Sequence, residues 1–166
     1  VALLTALAAS EACEAACGLR PGIKWPNDLV LGGKKCCGIL LEMAAEAERL
    51  DWVVLGVGVN VRQAEADFPP ELRDRAISLS MAAGRPVRRG PVISGFARAL
   101  WARWEAFVRE GIASFLEDYA ARSVTLGQTV RVEQALESFT GVAEGLGGQG
   151  ELLVRTREGE LRPVWA

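Results

Sequence analysis

Lys24-Trp25-Pro26-Asn27-Asp28-Leu29, followed past Gly32 by Gly33-Lys34-Lys35-Cys36-Cys37-Gly38-Ile39-Leu40-Leu41-Glu42, is the stretch whose reading decides the fold. It brings a cation, a carboxamide, a carboxylate and a second pair of cations into a short space. The residues between them are apolar with glycine, which predicts strand, turn, strand. Ile23 to Trp25 is a short strand stopped by Pro26, and Leu29 to Leu31 is a second. Gly32-Gly33 makes a tight turn. Lys35 to Ala45 is a third strand, apolar enough to be central. Asp51 to Val61 is β-branched and pairs with it as a hairpin. This layout aims several polar side chains at one pocket edge.

Upstream, Val1 to Cys17 is a helix rich in Ala and Leu, closed by Gly18. Downstream, Gln63 to Pro70 is polar and irregular, and Ile77 to Ala83 is a helical turn or two. Val92 to Arg109 is a longer helix with Ile93, Phe96, Leu100, Trp104, Phe107 and Val108 at helical spacing. After Gly111, Ile112 to Arg122 forms a further helix with Phe115, Leu116 and Tyr119 on one face. Past Leu126 the period changes. Gln128 to Glu133, Phe139 to Ala143, Glu151 to Arg155 and Leu161 to Trp165 alternate between Gly-rich turns, which predicts a small barrel or half-open sheet. The chain therefore divides into residues 1–124 and 125–166. Gly145 to Gly150 lies between two of these strands with no helix after it, so it is a hairpin turn rather than a phosphate loop.

The whole chain, 166 residues and half apolar, holds enough for one domain and a small appendage. A net charge of −2 gives no general basic field, which argues against nucleic acid or an anionic membrane as partner. The opening run has no basic flank and is too short to span a bilayer. It starts on Val1 as a helix already under way, which we read as a piece of a longer protein. There is no His, and Cys13, Cys17, Cys36 and Cys37 match no usual zinc spacing. We expect buried thiols in a reducing cytoplasm.

The segment Lys24-Trp25-Pro26-Asn27-Asp28, with Lys35 and Gly38-Ile39-Leu40 at their spacing, resembles the KWPND…K…GIL signature of biotin protein ligases. Gly56-Val57-Gly58-Val59-Asn60 resembles the family's G-x-G-[IV]-N strand, and Ala76-Ile77-Ser78-Leu79 its A-[TI]-S-L segment. The stretch from Phe139 to Val154 resembles its small C-terminal barrel. The resemblance covers nearly the entire chain. It implies an α/β (α+β) fold: a mixed sheet with helices on one face, a class II synthetase-like catalytic core, and an SH3-like barrel. It implies an ATP- and Mg²⁺-dependent ligase that makes biotinyl-5′-AMP and passes biotin to a lysine of a biotin carboxyl carrier protein. That enzyme would be cytoplasmic and could form a homodimer. A lipoate or octanoate ligase relative, and a non-catalytic biotin or carrier-binding fragment, are the alternatives.

Residue by residue, the resemblance gives Lys35 the biotin carboxylate and the α-phosphate, and Asp28 a catalytic role near the acceptor lysine. It gives Gly38, Ile39 and Leu40 the biotin wall, and Lys24, Asn27 and Asn60 the nucleotide. No metal ligands are assigned. Such chemistry needs these groups: carboxylate attack on the α-phosphorus builds negative charge that a fixed ammonium stabilises, and the same ammonium holds together two anions that repel. Trp25 is read as a packing residue and Lys34 as solvated. The family's Gly/Arg-rich loop, which closes over biotin and the adenylate, is not among these residues, and the closing strand after Trp165 looks clipped. Residues 1–166 alone are therefore expected to bind biotin weakly at best.

Overall fold

Gly32 and Gly33 take positive φ, 57° and 79°, the backbone that a two-residue hairpin needs and that side-chain-bearing residues resist. The turn sets β2 (Asp28–Leu31) antiparallel to β3 (Lys34–Glu46), with Leu31 opposite Lys34. This computed structural model describes residues 1–46, 49–133 and 137–165. Two residues further the register slips: Val30 lies opposite Lys35, but Leu29 lies opposite Cys37. Cys36 is the extra residue of a β-bulge, which locally shifts the in-out alternation of the strand. Asp28 and Val30 share one face of β2. Their partners across the ladder, Gly38 and Lys35, therefore share a face as well. In a regular strand, residues three apart point to opposite faces.

The first sheet runs in the order β1 (Gly22–Lys24), β2, β3, β4 (Arg49–Val59), every ladder antiparallel. Isolated parallel bridges, Ile23 to Ser123 and Lys35 to Ala76, make it mixed at its margins. β3 and β4 pair along nearly their full length, as expected; the turn joining them lies outside the described residues. Helix α1 (Ala2–Cys17) is largely buried, its Leu4, Ala6, Leu7 and Cys13 fully so, with Glu11, Glu14 and Ala15 turned toward the surface, as suits a mostly apolar helix packed under other elements. It ends at Gly18, left-handed with φ 80°. Against it pack α3 (Arg89–Glu110) and α4 (Ala113–Arg122). Arg103 of α3 reaches Glu11 and Asp118, each at 2.5 Å, and Arg122 of α4 reaches Glu14 at 2.7 Å. Together these ion pairs clamp the three helices.

Three details differ from the expected pattern. On α3 the buried stripe is Val92, Phe96, Leu100 and Phe107, while Ile93 and Val108 are 67% and 66% exposed. Each follows a stripe residue by one, about 100° around the helix, and so turns away from α1. The short helix α2 (Leu79–Ala83) starts later than Ile77, because Ser78 caps it by accepting from the Met81 N–H at 3.1 Å. Lys34 is not simply solvated: its ammonium donates to the Arg73 carbonyl at 3.0 Å.

The second sheet is an antiparallel meander, β5 (Thr129–Glu133), β6 (Ser138–Leu146), β7 (Leu152–Thr156) and β8 (Leu161–Val164). Val132, Ala143, Leu152, Val154 and Val164 form its core. Residues 147–150 are a turn joining β6 to β7, as predicted. Trp25 and Leu146 pack against both cores. Among the described residues, no helix is long and apolar enough to cross a membrane.

The four cysteines are free and buried. Among the described residues no group of three or more His, Cys, Asp or Glu side chains is placed to hold a metal. Burial pushes the thiols of Cys13, Cys36 and Cys37 up to about 12. Two consequences follow from neutral, enclosed thiols. Disulfide exchange with an aromatic disulfide reagent should run at least about a hundredfold slower in the native protein than in urea, since only exposed thiolate attacks; stoichiometric colour release without denaturant would contradict this burial. Proton binding to these thiols is tighter in the folded state, so stability should hold below about pH 9 and decline between about pH 9 and 12. Urea midpoints measured across that range provide the check.

Candidate active site

The bulge at Cys36 brings Lys35 over Gly38. The Lys35 ammonium sits 2.5 Å from Asp28 Oδ1. A Cβ added to Gly38 would stand 3.0 Å from both Cε and Nζ of Lys35 and 3.6 Å from Asp28 Oδ1. Glycine at 38 therefore first serves to leave room for the ammonium. Across the ladder Gly38 faces Gly58, so the sheet surface beside Lys35 carries no side chains over a two-residue width.

Lys35 is also fixed at its backbone. Its N–H donates to the Arg75 carbonyl at 2.7 Å, and its carbonyl accepts from the Ile77 N–H at 3.0 Å. The chain from Arg73 to Ile77 is thus laid along the start of β3, with Lys34 holding it from the side. The Lys35–Asp28 pair itself is open to water, the two side chains 50% and 25% exposed. Pairs of that exposure contribute no more than ~1 kcal/mol. An incoming anion can therefore take over the ammonium at little cost.

Lys24, Asp28, Lys35, Gly38 and Asn60 line one cavity of about 650 Å³. Asn60, at the end of β4, donates from its backbone N–H to the Cys36 carbonyl at 2.8 Å, which ties it to the bulge. Asp74 and Arg75 line the same cavity and were not singled out from the sequence. Their signal was the Ala76-Ile77-Ser78-Leu79 segment immediately after them. The sequence gives no hint that Lys34 and Lys35 dock this loop against β3. With Lys24, Lys35 and Arg75 against Asp28 and Asp74, the cavity has one more cation than carboxylate, a balance suited to anionic ligands.

The other expected site residues lie outside that lining. Ile39 is 4% exposed and belongs to the core under the sheet. Its N–H donates to the Asn27 carbonyl at 3.0 Å, and its carbonyl accepts from the Asn27 carboxamide at 2.7 Å. Asn27 thus fastens the turn before β2 onto β3. Leu40 is 65% exposed opposite Gly56, one step beyond Gly38 on the open face of the sheet. Trp25 to Asn27 form the turn between Lys24 and Asp28, which pair across it; the Trp25–Pro26 bond is cis.

Similarity to known proteins covers both sheets. Residues 15–60 match the biotin/lipoate A/B protein ligase family and residues 125–166 match the biotin protein ligase C terminal domain. A bifunctional ligase/repressor BirA of Bacillus spizizenii is 38% identical over 157 residues, covering 95% of this chain and 48% of that protein. A biotin–[acetyl-CoA-carboxylase] ligase of Mycobacterium tuberculosis is 38% identical over 132 residues, 79% of this chain and 46% of that one. The chain spans about half the length of these curated relatives. The biotin protein ligase of Aquifex aeolicus, solved in complex with biotin and ATP, superposes with a TM-score of 0.84 at 27% identity, covering 99% of this chain and 67% of that one. The class II synthetase-like core and small C-terminal sheet of that enzyme group are both represented here, and the chain belongs to the biotin protein ligase family.

Proposed function

We propose that the protein carrying this chain is an ATP-dependent ligase that activates biotin as biotinyl-5′-AMP and transfers it to a lysine of a biotin carboxyl carrier protein. The observation that carries this reading is the ammonium of Lys35 held above Gly38, beside the bare Gly38–Gly58 surface and in one cavity with Lys24 and Asn60. Membership in the family, and the biotin and ATP bound by the Aquifex enzyme, support it.

In this reading the ring system of biotin lies on the glycine surface, with Leu40 flanking its outer side. Lys35 leaves Asp28 to hold the carboxylate of biotin against the α-phosphate. The carboxylate oxygen forms a bond to the α-phosphorus, the bond from that phosphorus to the bridging oxygen breaks, and pyrophosphate leaves. Lys24 and Asn60 face the phosphates, and Arg75 adds the third cation. In the second half-reaction the acceptor amine attacks the carbonyl of the mixed anhydride and AMP leaves. Asp28, freed from Lys35, orients the acceptor ammonium and takes its proton. Asn27 acts on the nucleotide indirectly, by anchoring the turn that carries Lys24 and Asp28. Asn60 and Asp74 would offer oxygen donors to a Mg²⁺ bound with the triphosphate, a site needing few protein ligands when phosphates coordinate the ion. It would supply charge neutralisation on the phosphates.

We assign residues 1–124 to the catalytic unit and 125–166 to a C-terminal domain, each with its own core. The carrier-protein acceptor, a cytoplasmic setting and a homodimer complete the proposal. Support for the dimer comes from β4, an edge strand with Trp52 and Val54 exposed.

In the complete protein, Lys35→Ala should slow ATP-dependent pyrophosphate release at least about a hundredfold, the loss typical of one preorganised charge at an oxyanionic transition state. A near-normal rate would remove Lys35 from the mechanism. Calorimetric titration with biotin and separately with lipoate decides the substrate: heat from biotin alone is expected, and heat from lipoate alone would assign the chain to the lipoate branch of the matched family.

A further inference from the structure

The turn that carries Lys24 and Asp28 is not held by the catalytic sheet alone. The Trp25 backbone N–H donates to Thr125 Oγ1 at 2.8 Å, and its indole N–H donates to the Gly150 carbonyl at 3.3 Å. Tyr119, fully buried, donates its hydroxyl to the Pro26 carbonyl at 3.2 Å. Gly150 sits at the β6–β7 turn with φ 88°, and a Cβ built there would stand 2.5 Å from Leu3 Cδ1 and 3.1 Å from Ile112 Cδ1. That turn therefore lies against α1 and the start of α4, and its positive φ favours glycine. Trp25 is packed against both hydrophobic cores. On its far side, Asn27 clips the same turn to Ile39 of β3.

We propose that Trp25 is a positioning residue through which the C-terminal sheet sets the geometry of the Lys24–Asp28 turn. The chain of contacts is continuous: the Gly150 carbonyl orients the indole, the indole and Thr125 fix the turn, and the turn presents Lys24, Asn27 and Asp28. The C-terminal sheet thereby acts on the adenylation site without entering the cavity. The catalytic part of this inference rests on the proposed function; the coupling between the two sheets does not.

Two variants of the complete protein test it. Trp25→Phe keeps an aromatic ring, smaller than the indole, and removes the indole N–H. Gly150→Ala places a Cβ against Leu3 and Ile112 and strains the positive φ of the β6–β7 turn. Amide hydrogen exchange gives a readout independent of activity. In either variant the Ile39 amide, bonded to Asn27, should exchange at least about tenfold faster, while the Leu79 amide, bonded to the Asn60 carbonyl, stays unchanged. In the pyrophosphate-release assay kcat should fall about fivefold to tenfold, the scale of one hydrogen bond that holds reacting groups in line. KM for biotin and ATP should stay within about twofold. The double variant should be no worse than the poorer single one, since both break one contact. Unchanged Ile39 exchange in both variants overturns the coupling. Losses that multiply, or a lower melting temperature with normal kcat, reduce Trp25 to a packing residue. Faster Ile39 exchange in a protein whose wild type releases no pyrophosphate would leave the coupling standing and overturn the assigned reaction.

Discussion

The bulge at Cys36 is the constraint on which the rest of the site depends. Without it, Lys35 and Gly38 would face opposite sides of β3 and could not meet. With it, the ammonium lies over a residue that has no side chain and beside the carboxylate of Asp28. One inserted residue thus places a cation over bare backbone in an otherwise ordinary hairpin, which is what the proposed anion site requires. Bulges at the edges of active sites re-aim side chains in this way. The rigid two-glycine turn at Gly32-Gly33 fixes the register from one side, and the Asn60 N–H on the Cys36 carbonyl fixes it from the other. The core benefits too: Cys36 and Cys37, adjacent in sequence, are both buried as free thiols.

Magnitudes decide what the Lys35–Asp28 pair is for. A half-exposed pair contributes little to stability, so it is not kept to hold the fold. Its low cost of opening suits the proposed role, in which the cation changes partners during the reaction. The helices show the opposite case. Arg122, 14% exposed, joins Glu14 and the Ser10 hydroxyl between α1 and α4, and hydrogen bonding to that guanidinium holds the Glu14 carboxyl below its ordinary range. That arrangement secures the helical layer against which the first sheet rests.

Much of this was legible in the sequence. The glycine pair, the apolar third strand, the long α3 and the alternating C-terminal strands each stand close to where local chemistry puts them. The resemblance also gathered Lys24, Asp28, Lys35, Gly38 and Asn60, which line one cavity. What was not legible depends on contacts between distant segments. Lys34 gave no sign that it would hold Arg73, and Arg75 enters the site only because its carbonyl meets the Lys35 N–H. Ile39 reads like Leu40 in a linear pattern, yet the first is core and the second is exposed. Trp25 reads as plain packing, because nothing local announces that its indole reaches a turn 125 residues away.

The proposed carboxylate site depends on the space above Gly38. Calorimetric titration of biotin into the complete protein and into its Gly38→Ala variant tests it most directly, with melting temperatures taken alongside. A methyl group there would meet the Lys35 ammonium at 3.0 Å, while replacing glycine by alanine in a strand changes the fold's stability little, since glycine itself is a poor strand former. The predicted result is biotin binding weakened about tenfold or more, the scale of one displaced charge-assisted contact, with the melting temperature nearly unchanged. Equal biotin affinity in the two proteins would contradict the claim that Lys35, held over Gly38, forms the carboxylate site.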